Sequence, residues 1–450
     1  MLKATEGRVA RVSVSATPLN ATAEYRSISG APFPFLLESA VPGGRTFVGA
    51  DPYAVLLARG DRVSLWREGR ERTFRGNPFD AVAQLLAEQK LENPDGLALP
   101  CGAVGAFGYD LGQHLERLSH RAEDDLDFPD LVLGFYDAVA CLDGRSLRVE
   151  LPTRFPKRAI DPVTYRDAFC GGESTARKGR NFTRDQYLAA VARVREYIHA
   201  GDVYQVNLSQ RFHARASTRP FEVYQALRAA SPAPYAALLE FGRRALISAS
   251  PEQFLELRGR TLLTRPIKGT RRRGVTPDDD ARLAKELRAS PKDDAELAMI
   301  IDLERNDLGR VCDPGSVVVS APKVLESHPT VHHLSAAIEG RLRQGLGAVD
   351  VLRAAFPGGS VTGAPKIRAM EIIDELEPTR RAFYTGAIGG LGFDGSMNLS
   401  IAIRTVLADG DDCYFQAGGG IVADSDPAAE YDETLAKAAA MARALGVTLA

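Results

Sequence analysis

Residues Phe254–Thr270 read FLELRGRTLLTRPIKGT. Two runs of strand-forming residues, Phe254–Leu257 and Thr261–Thr264, flank Arg258-Gly259-Arg260, which predicts a hairpin. With Arg258 opposite Thr261, the register carries Glu252 to a position opposite Ile267, beside Lys268. Pro266 fixes φ and removes a donor, and Gly269 lets the backbone come close to a neighbour. Lys268 thus rides on a stiff backbone, facing an acid from another proline-stiffened strand entry, Ser250-Pro251-Glu252. The pair is either a plain salt bridge or an acid and a nucleophile, and a lysine in a turn is as readily a surface residue.

Composition narrows the choice. A chain of 450 residues with 45% apolar content buries one large core or two. A formal net charge of -2 argues against a nucleic-acid partner. Arg271-Arg272-Arg273 reads as a solvated turn rather than a phosphate site. Cys101, Cys141, Cys170, Cys312 and Cys413 are scattered and show no CxxC spacing, so neither zinc nor a disulfide framework is expected. The start, MLKATEGRVARVSVS, lacks an apolar signal core, and no run approaches the ~18 apolar residues of a membrane span. The expectation is a soluble, cytoplasmic protein with no membrane partner.

Residues 1–180 form an N-terminal region of short strands ending in a polar linker at about 152–181. Within it Phe79–Glu88 has helical spacing, and GAVGAFG (102–108) reads as close-packed strand. Leu131–Leu142 and Ser146–Leu151 suggest a hairpin across Asp143-Gly144. In residues 181–450, Thr183 and Gln186 make a capping box, Tyr187, Val191, Val194 and Ile198 share a helix face, and Gly201 supplies the stop. Val203–Phe212 alternates as a strand. No regular βαβ rhythm follows, which predicts antiparallel sheets covered by helices, an α+β fold.

Two later helices carry acids. Ser290 caps one that is expected to run to about Asp302, with Glu296 on the face of Met299, Ile300 and Leu303. A carboxylate there is costly to bury unless paired or bound to metal. Asp426 and Pro427 open the last helix, where Glu430 and Glu433 share a face and Lys437 continues it. Such an acid pair is ordinarily a solvated face, but three carboxylates from two helices would suit Mg²⁺. FPGGSVTGAPK (356–366) fails as a phosphate loop, because Ala364-Pro365 separates Gly363 from Lys366. AGGGIV (417–422) is either a tight turn or a set of amides for a carboxylate. Ile403-Arg404-Thr405 ends an alternating strand and offers a bidentate carboxylate binder. His332 and His333 read as core histidines.

Taken in order, SPEQF (250–254), PIKGT (266–270), AELAMIIDLERNDLGRV (295–311), AFPGGSVTGAPKIRAMEIIDELEP (355–378), IRT (403–405), AGGGIVADS (417–425) and EYDETLAK (430–437) resemble the chorismate-utilising enzymes. That family holds the anthranilate, aminodeoxychorismate, isochorismate and salicylate synthases. The likeness spans about residues 181–445. FLLES (35–39) and GAFGYDLG (105–112) resemble the amino-terminal part of the amine-forming members.

The resemblance implies two large antiparallel sheets packed as a sandwich, helices outside, and an active site in the cleft. It implies Glu252 as general acid to the departing C4 hydroxyl of chorismate. Glu296 and Glu433, with Glu430 close by, match Mg²⁺ ligands, the metal holding the ring carboxylate. Arg404 and the amides of Gly418, Gly419 and Gly420 match binders of the other carboxylate, with His333, Thr362 and Lys437 completing the substrate-binding set. Water-adding members carry a lysine where this chain has Gln205. Anthranilate-forming members read PIAGT where Lys268 stands here, and a lysine there marks the aminodeoxychorismate-forming pattern. In that pattern the lysine attacks C2 and ammonia adds at C4, so a separate lyase makes the aromatic product. No cysteine lies in a nucleophile elbow, so ammonia is expected from a glutamine amidotransferase partner or from solution. FLLES and Pro234-Tyr235 resemble a tryptophan pocket. Glu38, Ser39 and Tyr235 either enclose that amino acid or are ordinary packing beside a surface acid. Anthranilate formation is the rival activity. A non-catalytic ligand-binding protein on the same fold is the other alternative, against which every carried-over position is occupied.

Overall fold

The hairpin around Gly259 forms in the computed structural model, which describes residues 8–9, 11–14, 20–39, 44–93, 96–99, 101–142, 146–151, 159 and 179–449. Gln253–Arg258 pairs antiparallel with Thr261–Arg265, and Arg258 lies opposite Thr261. Two features change the expected register beyond it. A bulge falls between Gln253 and Glu256, and the strand stops at Arg265 before Pro266. The next strand, Ile267–Arg272, leaves the hairpin and pairs with Val331–Arg341, Lys268 opposite Leu334. Glu252 is therefore not a ladder partner of Ile267. It stays beside Lys268 because the Ile267 N–H donates to its carboxyl.

Among the described residues the chain builds one sheet of 12 strands and another of 11. The larger takes in the hairpin, the smaller the Gln205–Arg215 and Asp412–Ile421 strands. Side chains from both inner faces, Val104 and Val132 on one side and Leu239, Leu246 and Leu407 on the other, share a buried cluster. Helices Pro78–Ala87, Pro291–Gly309 and Ala348–Ala355 cover the outside of the larger sheet, and Pro220–Ala230 and Pro427–Ala444 that of the smaller. This is the α+β sandwich expected. Both sheets mix strands from either side of residue 180. Gly102–Phe107 pairs with Ala387–Gly392, and Phe35–Glu38 with Tyr235–Phe241. The polar stretch at 152–181 lies largely outside the described residues, as does Cys170.

Several strands cross from sheet to sheet. Leu131–Tyr136 belongs to the larger sheet and Ala138–Leu142 to the smaller, so the run read as one strand switches at Asp137. Arg244–Ser250 and Gln253–Arg258 switch through Pro251-Glu252. Met397–Ile401 and Thr405–Asp409 switch through Ala402–Arg404. The last two crossings are tied together, Ile401 N–H to Glu252 O at 3.1 Å and Ala249 N–H to Arg404 O at 3.1 Å. That tie brings an acid and an arginine to one end of the cleft.

Local signals hold where chemistry is local. The Thr183–Gln186 capping box is present, at 2.9 and 3.2 Å. Ser290 and Asp426 cap their helices through side-chain oxygens. The Ser290 helix runs on to Gly309, since no glycine or proline interrupts Leu303–Leu308. Arg271 and Arg272 end a strand rather than form a turn, and Arg271, Arg272 and Arg273 each pair with an aspartate, Asp293, Asp279 and Asp280. Cys101, Cys141, Cys312 and Cys413 are buried. Among the described residues no helix is long and apolar enough to cross a membrane.

Candidate active site

Glu252 is 4% exposed, so burial pushes its carboxyl up to about 7, against the pull of Ser360, Lys268 and the Ile267 N–H. Ser360 Oγ donates to Glu252 Oε1 at 2.5 Å. Lys268 is aimed at the same turn, its Nζ donating to Ser360 O at 3.5 Å. Gly269 is the extra residue of a bulge opposite Leu334–His333, with φ +73, a conformation that glycine adopts freely. A Cβ there would meet Asp293 Oδ1 and Leu287 Cδ1, each at 2.9 Å. Burial lowers the Lys268 amine, while Glu296, Glu252 and Glu433 hold it up.

Glu296, Glu430 and Glu433 approach from two helices. Burial raises Glu296 and Glu430, and Glu433 adds to both. For Glu433 burial pushes up, but Lys437 prevails and lowers it through a 2.6 Å ion pair. Ser425 Oγ donates to Glu430 Oε1 at 2.6 Å. A Cβ on Gly419 would lie 2.9 Å from Glu430 Oε2 and 3.8 Å from Glu433 Oε1, so both acids converge over bare backbone. An all-carboxylate donor set fits a hard cation such as Mg²⁺. Among the described residues, no three acids, histidines or cysteines are drawn together at metal-holding distance.

The glycines of AGGGIV are strand, not turn, within Asp412–Ile421. Ser209 N–H goes to Glu377 and Asn207 N–H to Thr362 O, so their partners Gly418 and Gly420 form non-hydrogen-bonded pairs. The amides of Gly418 and Gly420 therefore face away from the neighbouring strand, along an edge that the Thr405–Asp409 strand covers only as far as Phe415. Gly419 is turned inward. Lys437 Nζ donates to Gly418 O at 2.9 Å.

Arg404 does not end a strand. The Met397–Ile401 strand stops earlier, and Arg404 sits in the sheet crossing with φ +49. One Nη donates to Ser231 Oγ at 3.1 Å. His333 is 2% exposed, its Nδ1 lies 2.9 Å from Thr270 Oγ1, and its Nε2 has no partner among the described residues. Burial, with Arg404 and His328 beside it, lowers His333 to about 3, so the ring is neutral. Thr362 is fully buried, and its hydroxyl donates to the Gly358 and Gly359 carbonyls.

Glu38, Ser39, Pro234 and Tyr235 stand apart, around a cavity of about 400 Å³. Glu38 is already held by Tyr224 at 2.5 Å and Arg228 at 2.7 Å. The far wall includes Gln253, next in sequence to Glu252.

Two features carried no usable signal in the sequence. Ser360 is one small residue in a glycine-rich run, and only the fold sets it against Glu252. Glu304 and Asp307 lie beyond Asp302, the expected end of the Ser290 helix, so no helix face was assigned to them. Both are buried, and Asp307 pairs with Lys366 at 2.5 Å. The fully buried Gln205 carboxamide has no partner among the described residues and lies against Gly420.

A sandwich with acids, an amine and strand-edge amides at one end of its cleft is the architecture of a chorismate-utilising enzyme. The family model described as chorismate binding enzyme matches residues 33–443, and the chain belongs to that family. It is 42% identical over 439 residues to aminodeoxychorismate synthase component 1 of Klebsiella aerogenes, covering 95% of this chain and 97% of that one. It is also 42% identical over 402 residues to anthranilate synthase component 1 1 of Haloarcula marismortui, covering 83% and 82%. The crystal structure of anthranilate synthase component I from Streptococcus pneumoniae TIGR4 matches with a TM-score of 0.76 at 30% identity, covering 89% of this chain and 92% of that one.

Proposed function

We propose that the chain converts chorismate and ammonia to 4-amino-4-deoxychorismate, with Lys268 as the nucleophile and Glu252 as the acid. The observation that carries this reading is the burial of a lysine amine beside a carboxyl that burial has raised to about 7. Burial favours the neutral form of each, and an amine must be neutral to attack. Lys268 Nζ bonds to C2, the ring double bonds shift, and the C4 hydroxyl leaves as water with the proton of Glu252. Ammonia then bonds to C4, the double bonds shift back, and Lys268 leaves C2. The ammonium formed at C4 returns a proton to the Glu252 carboxylate, so the net change is hydroxyl for amine.

In the same reading Arg404, the amides of Gly418 and Gly420, and neutral His333 orient the substrate carboxylates and enolpyruvyl arm. Glu296, Glu430 and Glu433 would hold Mg²⁺, which supplies positive charge to a bound carboxylate. A glutamine amidotransferase partner supplies ammonia. The cavity by Tyr235 takes tryptophan, whose ammonium would join the Glu38–Arg228 pair.

Product analysis with chorismate, Mg²⁺ and ammonium at alkaline pH tests the reaction. Wild type should release aminodeoxychorismate. Lys268→Ala should stay folded and lose that product by orders of magnitude, since removal of a nucleophile costs up to about 10⁶ elsewhere. Lys268→Arg should not restore it, because a guanidinium stays protonated. Wild-type rates in Lys268→Ala, or anthranilate as the main wild-type product, would refute the assignment.

A further inference from the structure

The turn Gly358–Thr362 carries the contacts that fix the acid and the amine. Ser360 Oγ donates to Glu252 Oε1, and Ser360 O accepts from Lys268 Nζ. The turn itself is slight, a single 3-10 turn over Gly359–Val361. It is held from behind by Glu304. That residue lies on the Pro291–Gly309 helix at i+4 from Ile300 and i+8 from Glu296, on the buried stripe of that helix with Leu297, Ile300 and Leu308. It is 2% exposed and accepts the Gly359 N–H, while its Oε2 has no partner among the described residues. A Cβ on Gly359 would come within 2.5 Å of Leu303 Cδ2 and 3.1 Å of Glu304 Oε1, so the turn is pressed onto the helix at this point. On the far side Lys366 Nζ pairs with Asp307 at 2.5 Å and donates to Ala355 O at 2.7 Å.

A buried carboxyl costs free energy that an apolar side chain would not. Its neighbours on the stripe, Ile300 and Leu308, are apolar and fully buried, so packing alone does not call for an acid. Burial, and then Asp307, raise the Glu304 carboxyl, which favours its neutral form and limits the negative charge behind Glu252.

We propose that Glu304 is a positioning residue for the acid–amine pair. By holding the Gly359 N–H it fixes Ser360, and through Ser360 it sets the Glu252 carboxyl and the Lys268 amine. The kinetic part of its test rests on the proposed reaction, and a second part does not.

Glu304→Leu fills the space without an acceptor, and Glu304→Gln keeps a carbonyl oxygen for the Gly359 N–H. Chorismate consumption, whatever the product, should fall about ten- to a hundredfold in kcat for the leucine variant, the cost of a small misplacement of reacting groups. Its KM should stay within about threefold, because the carboxylate binders are untouched. The glutamine variant should retain kcat within about threefold. In the free protein, modification of Lys268 by trinitrobenzenesulfonate, followed by mass spectrometry, should change rate in Glu304→Leu and not in Glu304→Gln. Wild-type behaviour of the leucine variant in either measurement overturns the proposal. So does an equal loss in both variants with a lowered melting temperature, the mark of a merely structural role. A wild-type protein that ignores chorismate would sink the proposed reaction alone, and the Lys268 labelling would still decide the part played by Glu304.

Discussion

Glu252 shows how one buried group ties reactivity to stability. Its folded carboxyl stands at about 7 against an ordinary 4.5, with burial as the main cause. A carboxyl raised on folding favours the protonated state. The favourable term is complete below pH 4.5 and is lost as pH climbs through about 7. The displacement is worth about 3 kcal/mol at roughly 1.4 kcal/mol per pH unit. Glu252→Gln cannot ionise and keeps an oxygen for Ser360. Its melting temperature, measured without added metal, should match wild type near pH 4.5, exceed it progressively toward pH 7, and hold a constant lead above. A constant difference across that range would mean that Glu252 titrates normally. The variant should also lose turnover at every pH, since an amide cannot protonate a leaving hydroxyl.

Strands and helices differ in how much of the site their sequence disclosed. Caps were legible because Thr183, Ser290 and Asp426 act on amides two or three residues away. Shared helix faces were legible for the same reason, which brought Glu430, Glu433 and Lys437 together on paper. Pairing across the sheet was not. The hairpin register was right at Arg258 and failed past the bulge, because Pro266 hands the next strand to Val331–Arg341, over sixty residues away in sequence. AGGGIV left a tight turn and a set of amides for a carboxylate open, and neither reading placed the glycines in a strand. The fold resolves it as strand through its ladder with Gln205–Arg215, and the bare backbone at Gly419 leaves room for Glu430 and Glu433. Gly419→Ala tests that account. The backbone there is not left-handed, so alanine should fold, but its Cβ would press on Glu430 Oε2. The Mg²⁺ concentration for half-maximal turnover should rise about tenfold or more, as displaced metal ligands and their supports generally cost. An unchanged Mg²⁺ dependence, or full activity in excess chelator, would remove the metal from these acids.

Across the whole molecule, the cavity by Tyr235 lies where segments from early, middle and late in the chain meet. Phe35–Glu38 reaches it by pairing with Tyr235–Phe241, and Ile388 and Gly389 reach it from a strand that pairs with Gly102–Phe107. Both sheets thus contribute walls, and a ligand held there would tighten contacts between segments far apart in sequence. A ligand that binds only the folded state stabilises it by RT ln(1 + [L]/Kd), about 2.7 kcal/mol at a hundredfold excess over Kd. Tryptophan suits the walls, with apolar Leu37 and Phe47, the ring of Tyr235, and Glu38 for its ammonium. The protein should first be denatured and assayed for released tryptophan, since a tightly held ligand survives purification. If it is empty, added tryptophan should raise the melting temperature, and phenylalanine should raise it less. Tyr235→Ala should lose most of that rise while still consuming chorismate, because Tyr235 lines the cavity and is not among the residues that hold Lys268 or Glu252. Purified protein that releases no tryptophan and shows no shift when it is added would leave the cavity as a packing gap between the sheets.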